Sequence, residues 1–384
     1  MLLTPNLGIS EEYNDNIFFT PDKTWDLVTR LRIGMGVTYV TENSDTNLNL
    51  GTSMVYLARS ANTAVNLAEA QRLNLSTAYQ WTPYLRFDVD NSLARVGTTR
   101  DIGFVTGADT SLPPPQQETD PSDINPGNVS ITLPRGSAFV NSFGITATYF
   151  FDPRWSSSFN YGNGVANFDD PGDVDLTQRA GITLGYQLTP TLSVGPAVSY
   201  SRFNSTNAQD SEAYGLGLGA NYQVSDLWNV FGSLGGALTR QLEGPSETNG
   251  SVTFAIGLNR SFERSGLTIG AQQGITPSAG VAGSSTTLTG YVSYGIQLTQ
   301  LLSGSLTASY SHFDTTSGSF ELIGLNTGVS YVVWRNITAR LAYVYRRSDA
   351  GEPFSNELSE GIIDQNAVRI QFGWAQPWWQ FDLW

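Results

Sequence analysis

The segment Ala367–Trp374, which reads AVRIQFGW, alternates strictly between two kinds of residue. Val368, Ile370, Phe372 and Trp374 are apolar, whereas the residues between them are small or polar. A period of two places these two sets on opposite faces of a β-strand. In a soluble sandwich the apolar face would meet a core, and in a transmembrane barrel it would meet lipid. The rest of the chain decides between these two folds.

The composition favours the barrel. Only 14% of the 384 residues are charged, against roughly 25% in typical soluble domains. Mean hydropathy is nevertheless −0.18, because Gly and neutral polar residues are abundant. No run of about 18 apolar residues occurs, so the sequence predicts no transmembrane helix. The net charge of −14 argues against a nucleic-acid partner, since a phosphate backbone needs a basic binding surface.

Eighteen segments of the chain show the strand pattern. Asp26–Val40, Leu85–Val96 and Ala138–Phe150 are examples, and each is long enough to cross a bilayer when tilted. Leu7–Phe18 and Leu267–Ile275 alternate less clearly, and without them the count is 16. We therefore expect an all-β fold, a transmembrane antiparallel up-and-down β-barrel of about 18 strands. No linker is apparent, so residues 1–384 are expected to form a single barrel domain.

The connections between these segments differ in length. Those after even-numbered strands are tight, such as Phe151–Arg154, whereas those after odd-numbered strands are longer, such as Ser348–Asp364. Bacterial outer-membrane barrels have short periplasmic turns and longer extracellular loops. An even strand count then places both termini on the periplasmic side of the outer membrane. Aromatic residues beside the tight turns are predicted to form a girdle at the lipid headgroups. They are Tyr79, Trp81, Tyr84, Tyr149, Phe150, Phe151, Trp155, Tyr186, Tyr222, Trp228, Tyr331 and Trp334.

The opposite face of the strands is mostly Ser, Thr, Gly, Asn and Gln, and it predicts a polar lumen. A few ionisable residues interrupt it, and we take them as candidates for lining the pore. They are Arg72, Arg86, Asp88, Asp90, Arg179, Arg340, Arg346 and Arg369. Such a set can form a selective ring of charge, or Arg–Asp pairs can satisfy one another across neighbouring strands. A lumen rich in hydroxyl groups suits uncharged hydrophilic solutes such as sugars, as it would suit any wet pore.

The longest irregular segment is Gly97–Ser137, the third connection on the long-loop side. In general porins the third loop often folds inward and narrows the channel, and the likeness here is one of position. If this loop folds inward, its carboxylates would make an acidic constriction that favours cations. The candidate residues are Asp109, Glu118, Asp120 and Asp123. The alternative is a mobile acidic loop on the surface.

The sequence gives little support for an enzyme. A Ser–His hydrolase needs a histidine base held by a polar partner, and the only histidine, His312, falls in register with the apolar face of its strand. With no cysteine and one histidine, we predict no metal site and no cofactor.

The segment Glu11–Phe18, EEYNDNIF, followed by Asp26 and the strand around Ile33–Met35, resembles the start of a bacterial family. These are outer-membrane proteins of the β-barrel porin type, many of them encoded beside exopolysaccharide-export genes. The resemblance implies a secreted polysaccharide as cargo and a periplasmic export machinery as a partner. From the residues alone, Asn14, Asp15 and Asn16 are expected to cap the end of the first strand through side-chain-to-backbone hydrogen bonds.

We therefore predict an outer-membrane channel, surrounded by lipid, that passes polysaccharide or small hydrophilic solutes. The alternative is a structural or adhesive barrel with a plugged lumen. The sequence does not indicate an oligomeric state.

The chain continues for ten residues beyond Trp374. Pro377 cannot donate a hydrogen bond to a strand ladder and should interrupt the last strand. The strand either ends near Trp374 or resumes beyond Pro377, with Trp379, Phe381 and Leu383 on one face. We prefer the second arrangement, because an aromatic residue would then also end the barrel.

Overall fold

The structure is a computed structural model, and it describes most of the chain. The described residues are 1–17, 19–59, 70–96, 138–168, 174–206, 210–242, 248–277, 284–315, 318–350, 361–376 and 379–380.

The described residues form 18 long strands and one short terminal strand. The strands are β1 Leu2–Asn14, β2 Asp26–Val40, β3 Ser44–Leu57, β4 Ala70–Thr82, β5 Leu85–Val96, β6 Ala138–Phe150, β7 Trp155–Phe168, β8 Val174–Thr189, β9 Leu192–Ser205, β10 Ser211–Ser225, β11 Trp228–Gln241, β12 Thr248–Ser261, β13 Ser265–Pro277, β14 Ser284–Gln297, β15 Leu302–Thr315, β16 Gly318–Trp334, β17 Ile337–Ala350, β18 Gly361–Ala375 and β19 Trp379–Gln380. No helix in these ranges is long and apolar enough to span a membrane.

Each long strand pairs antiparallel with the next strand along the chain, and β1 also pairs with β18. The sheet is therefore a closed barrel of 18 strands. This confirms the higher predicted count, and the alternative of 16 strands is wrong because both weakly patterned segments are strands. The chain resumes pairing beyond Pro377 for two residues, where Trp379 lies opposite Leu3 and Gln380 lies opposite Leu2. Phe381 and Leu383 lie outside the described residues.

Alternation gives the barrel two chemically different surfaces. On β10, Leu216 and Leu218 point outward and are 65% and 60% exposed, whereas Gly215, Gly217 and Gly219 point inward. The same separation runs around the barrel. Its outer surface therefore exposes more contiguous apolar area than soluble proteins usually do. An apolar outer surface around a polar inner face is the arrangement of transmembrane β-barrels.

The connections between strands follow the predicted alternation with one exception. All eight connections after even-numbered strands have four residues or fewer, and those after odd-numbered strands are longer except between β15 and β16. That connection is residues 316–317. Gly318, which follows it, has a φ of 147°, a backbone conformation that glycine adopts much more readily than residues with a Cβ. The prediction of longer connections after every odd strand is therefore wrong at this one position.

The rim with the short turns also holds the start of β1, the end of β18 and many exposed aromatic side chains. Trp81 and Trp334 are 67% and 70% exposed. The rings of Trp155 and Tyr186 lie 4.5 Å apart, and those of Tyr149 and Phe151 lie 4.9 Å apart. The predicted aromatic band at this rim is therefore present. We refer to the end of the barrel with the short turns as the short-turn rim, and to the opposite end as the long-loop rim.

Candidate channel lining and barrel seam

Strand pairing shows which side chains point into the barrel. Residues directly opposite one another in neighbouring strands share a face, so the inward set can be followed from Glu12 around the sheet. All eight candidate lining residues belong to this inward set. Their role in permeation stays a prediction. They are Arg72, Arg86, Asp88, Asp90, Arg179, Arg340, Arg346 and Arg369.

The inward-facing charges are unevenly distributed around the barrel. We call the inner surface of β17, β18 and β1–β5 the charged wall, and that of β9–β16 the neutral wall. Within the described ranges, the inward positions of the neutral wall carry Ser, Thr, Gly, Ala, Asn, Gln and a few apolar or aromatic residues, with no Asp, Glu, Lys, Arg or His. The remaining inward charges, Asp175 and Arg179, lie on β8. One side of the interior therefore bears nearly all of its fixed charge.

The sequence-based choice of lining residues missed several members of the charged wall. Glu12, Arg30 and Arg32 point inward on β1 and β2, as do Asp26 and Asp45. Leu7, Ile9 and Tyr13 are outward and exposed, so alternation along β1 could have placed Glu12 inside.

Glu12 is the centre of an ion-pair cluster between the first two strands and the last. The side chain is 3% exposed and lies directly opposite Arg369 on β18. Its Oε2 accepts hydrogen bonds from Arg30 Nη1 at 2.9 Å and Arg369 Nε at 2.7 Å, and Arg369 Nη2 contacts it as well. Asn14 Nδ2 donates to Oε1 at 3.2 Å. One buried carboxylate therefore links β18, β1 and β2, the strands that close the barrel.

A second set of contacts closes the same seam at the long-loop rim. Asp15 accepts hydrogen bonds from Asn366 through its backbone N at 2.6 Å and its Nδ2 at 2.9 Å. Asn16, which is fully buried, donates from Nδ2 to the carbonyl of Asp364 at 2.9 Å, and its own carbonyl accepts from Gln365 Nε2 at 2.7 Å. We call these residues of the first loop and β18 the seam clasp.

The predicted capping of the first strand is confirmed, and the motif does more than that. Asn14 Oδ1 accepts from Asn16 N at 3.0 Å, which ends β1 with a local turn. Asn16 Oδ1 accepts from Thr20 N at 3.0 Å, and Asn16 Nδ2 donates to the carbonyl of Thr20 at 2.7 Å. These bonds surround Phe19, which has a φ of 49° and is buried. The contacts from the same motif to β18 were not predicted, because they depend on barrel closure.

Asp15 lies just beyond β1, and the contacts of the seam clasp change the pKa of its carboxyl group. Partial burial raises the pKa of its carboxyl, but the hydrogen bonds from Asn366 and the nearby Lys23 ammonium lower it more, and the pKa falls below its ordinary value of 3.8. Lys23 Nζ lies 3.3 Å from Asp15 Oδ2. The carboxylate is therefore the form that the clasp favours.

Arg340 and Arg369 border one small recess in the charged wall. Its volume is about 20 Å³, and Asn326, Ala342, Val344 and Gln371 complete its lining. Three buried polar atoms beside it have no protein partner, namely Arg340 Nε, Gln371 Oε1 and Asn326 Oδ1. Arg369 is paired with Glu12, whereas no carboxylate in the described part of the chain pairs with Arg340. Arg340 is thus an uncompensated positive charge on the inner wall.

Other charges on the inner wall are paired differently from the prediction. Arg86 donates from Nε and Nη2 to Asp88 Oδ1, at 3.0 and 2.6 Å, within the same strand rather than across strands. Arg346 Nη1 lies 3.4 Å from Gln365 Oε1 on β18. Arg72, Asp90 and Arg179 also make polar or electrostatic contacts.

The remaining site predictions fall in two groups. Asp109, Glu118, Asp120 and Asp123 lie outside the described residues. His312 points outward on β15, and its Nδ1 lies 3.5 Å from Glu321 Oε1. In the described ranges no serine hydroxyl is hydrogen-bonded to it, and no group of three or more potential metal ligands occurs.

Comparisons with known proteins support the fold. No family model matches the chain, and no curated protein matches it in sequence. The crystal structure of OpdK from Pseudomonas aeruginosa with vanillate has a TM-score of 0.50 to this chain, at 11% identity, and covers 98% of this chain and 99% of that one. OccAB2 from Acinetobacter baumannii has a TM-score of 0.50 at 9% identity, with 98% of each chain covered. The chain therefore has the same β-barrel fold as these two structures.

Proposed function

We propose that the protein is a passive channel of the bacterial outer membrane that passes small hydrophilic solutes and prefers anions. The observation that carries this proposal is the charged wall, where inward-facing arginines outnumber inward-facing carboxylates. Fixed positive groups beside an aqueous path lower the barrier for anions and raise it for cations. The mechanism is diffusion through the lumen, without covalent chemistry.

The preference for anions follows from how the wall charges are paired. Glu12 is paired with both Arg30 and Arg369, and Arg86 is balanced by Asp88. Arg340 lies beside Arg369, and no carboxylate of the described residues pairs with it. A guanidinium offers several donors in one plane, which suits a carboxylate better than a neutral hydroxyl group. Small carboxylates are therefore the solute class that we favour.

The orientation in the membrane is inferred from the two rims. The short-turn rim carries the termini and the aromatic band, and in bacterial barrels the short turns lie in the periplasm. We therefore place both termini on the periplasmic side. Protease applied to intact cells would be expected to leave a tag at Met1 uncut, and cleavage of the tag would contradict this orientation.

Single-channel recording in planar bilayers tests the proposed function. We expect stable conductance steps from the purified full-length protein. A folded protein that never conducts would favour the alternative of a plugged structural or adhesive barrel. Deleting Pro113–Asp123 tests the proposal that the third loop narrows the path. Conductance should then rise, and because this segment carries Glu118, Asp120 and Asp123, which oppose the preference for anions set by the charged wall, that preference should become stronger. Unchanged conductance would contradict that constriction.

Polysaccharide is the second cargo class, and only the resemblance of residues 11–18 favours it. In the structure Glu12, Asp15 and Asn16 contact β18 at the barrel seam, so this motif bears on closure more directly than on cargo. A strain that lacks the gene for this protein distinguishes polysaccharide export from uptake of small carboxylates. Loss of surface polysaccharide would support export, whereas slower uptake of a small carboxylate, for which vanillate is a suitable first compound, would support our preferred class.

A further inference from the structure

Arg260 is an unusual residue on the outer surface of the barrel. It ends the outward series Val252, Phe254, Ile256 and Leu258 on β12, one residue before the strand ends at the short-turn rim. Other ionisable residues at outward strand positions, such as Arg202, Glu212, Arg240 and Glu321, belong to the long-loop half of the barrel. Within the described strands Arg260 is alone in this respect at the short-turn rim.

Two aromatic rings enclose the guanidinium of Arg260. Its Cζ lies 4.2 Å from the ring centroid of Trp228 and 4.1 Å from that of Phe262. Trp228 is directly opposite Arg260 in the pairing of β11 with β12, and Phe262 is two residues further along the same face. Ser261 N donates to the carbonyl of Leu227 at 2.9 Å, which fixes the two strand ends together. The arrangement is therefore built into the register of the sheet.

The same contacts leave one edge of the guanidinium open. Both rings lie beside the guanidinium, and its Nε is buried without a hydrogen-bond partner. No described carboxylate forms an ion pair with it, and no hydrogen bond occupies its two terminal nitrogens. The N–H groups of Nη1 and Nη2, which form a planar fork, therefore have no hydrogen-bond partner among the described residues.

We propose that Arg260, held between Trp228 and Phe262, binds the phosphate of a membrane phospholipid. A guanidinium fork binds phosphate through two parallel N–H···O bonds. The aromatic band places this fork at the depth of the lipid headgroups, where phosphate is the abundant anion. Adjacent acyl chains would lie on the apolar outer surface formed by residues such as Ile256 and Leu258. The proposal rests on the membrane location in the proposed function, but not on whether the barrel conducts.

The test is native mass spectrometry of the full-length protein in detergent, titrated with phosphatidylglycerol. We expect Arg260→Gln to weaken the tightest binding event about ten-fold, as loss of a charge-assisted contact predicts. Arg264→Gln, which removes an exposed charge from the adjacent turn, should leave that event unchanged. Diacylglycerol, which lacks phosphate, should bind equally to wild type and to Arg260→Gln.

Two further arms keep the result decisive. Arg260→Lys keeps the charge and removes the fork, so its affinity should fall between those of wild type and Arg260→Gln, and it serves as the test if Arg260→Gln does not fold. Inorganic phosphate should compete poorly with the lipid. Equal phosphatidylglycerol affinity in wild type and both Arg260 variants would overturn the proposal, and so would full displacement of the lipid by equimolar inorganic phosphate.

Discussion

The charged wall and the neutral wall are built from the same kind of strand but are held together differently. On the charged wall, Glu12 joins Arg30 and Arg369 across three strands. On the neutral wall, contacts are small and local, such as the 3.1 Å hydrogen bond between Thr289 and Ser311. The barrel closes where β1 meets β18, and residues from the two ends of the chain must find each other there. The ion-pair cluster of Glu12 therefore lies where two strands distant in the sequence, β1 and β18, must pair.

The largest expected effect comes from Glu12→Gln. Removing the carboxylate takes away the anion that Arg30 and Arg369 share, and breaking such a buried pair costs about 3–5 kcal/mol. We expect that loss in the free energy of unfolding, measured by denaturant titration in lipid vesicles. Ser311→Ala removes a buried contact on the neutral wall and should cost about 1 kcal/mol. Equal losses in the two variants would remove the distinction between the walls.

A smaller effect is expected at a close approach on the neutral wall. The tip of the Phe231 ring lies close to Gly257, and a Cβ built on Gly257 would lie 2.1 Å from Phe231 Cζ. Gly257→Val should therefore displace the ring and destabilise the barrel by about 1–3 kcal/mol. Phe231→Ala in the same chain should recover most of that loss, because the clash is then absent. If Phe231→Ala does not restore stability, the loss in Gly257→Val is not caused by a clash with the Phe231 ring.

Asp15→Asn should have a modest and pH-dependent effect on the seam clasp. Because the pKa of Asp15 is lowered on folding, its ionised form stabilises the barrel at pH values above the ordinary pKa, and this contribution is lost as the pH falls through the lowered value. At pH 7 we expect a loss of about 1–2 kcal/mol from the weaker hydrogen bonds. The difference from wild type should shrink below about pH 4.

Denaturant titrations at several pH values measure this effect. Asp226→Asn, on an exposed turn at the opposite rim, is the matched control and should follow wild type. A difference between Asp15→Asn and wild type that stays constant down to pH 3 would show that the carboxylate charge does not stabilise the clasp.

Much of the fold could be predicted from the sequence because one face of each strand is apolar and the other polar. The predicted bounds of β2, β5 and β6 match the structure, since alternation is clear there and turn residues follow closely. The start of β1 was placed too late, at Leu7 instead of Leu2. Pro5 and Asn6 interrupt the alternation of apolar and polar residues at the start of β1. The backbone of this segment is nevertheless held as a strand because it pairs with β2 and, at Asn6, with β18.

The candidate site was less accessible to sequence reasoning. Alternation alone can identify inward-facing residues, and it placed Arg340 and Arg369 on that face. It cannot identify partners that are distant in the chain, such as Glu12 and Arg369, which are 357 residues apart. It also does not distinguish Arg340, which lacks a carboxylate partner, from Arg86, which has Asp88 within its own strand. Those distinctions require the register of the closed sheet.

The reversal potential of single channels under a KCl gradient tests most directly whether the charged wall governs permeation. We expect wild type to prefer chloride, and Arg340→Gln to shift the reversal potential toward potassium. Arg347→Gln removes the same charge from the outer face of the same strand and should leave the potential unchanged. A wild-type channel that prefers potassium, or identical potentials in wild type and Arg340→Gln, would contradict the proposed role of the charged wall.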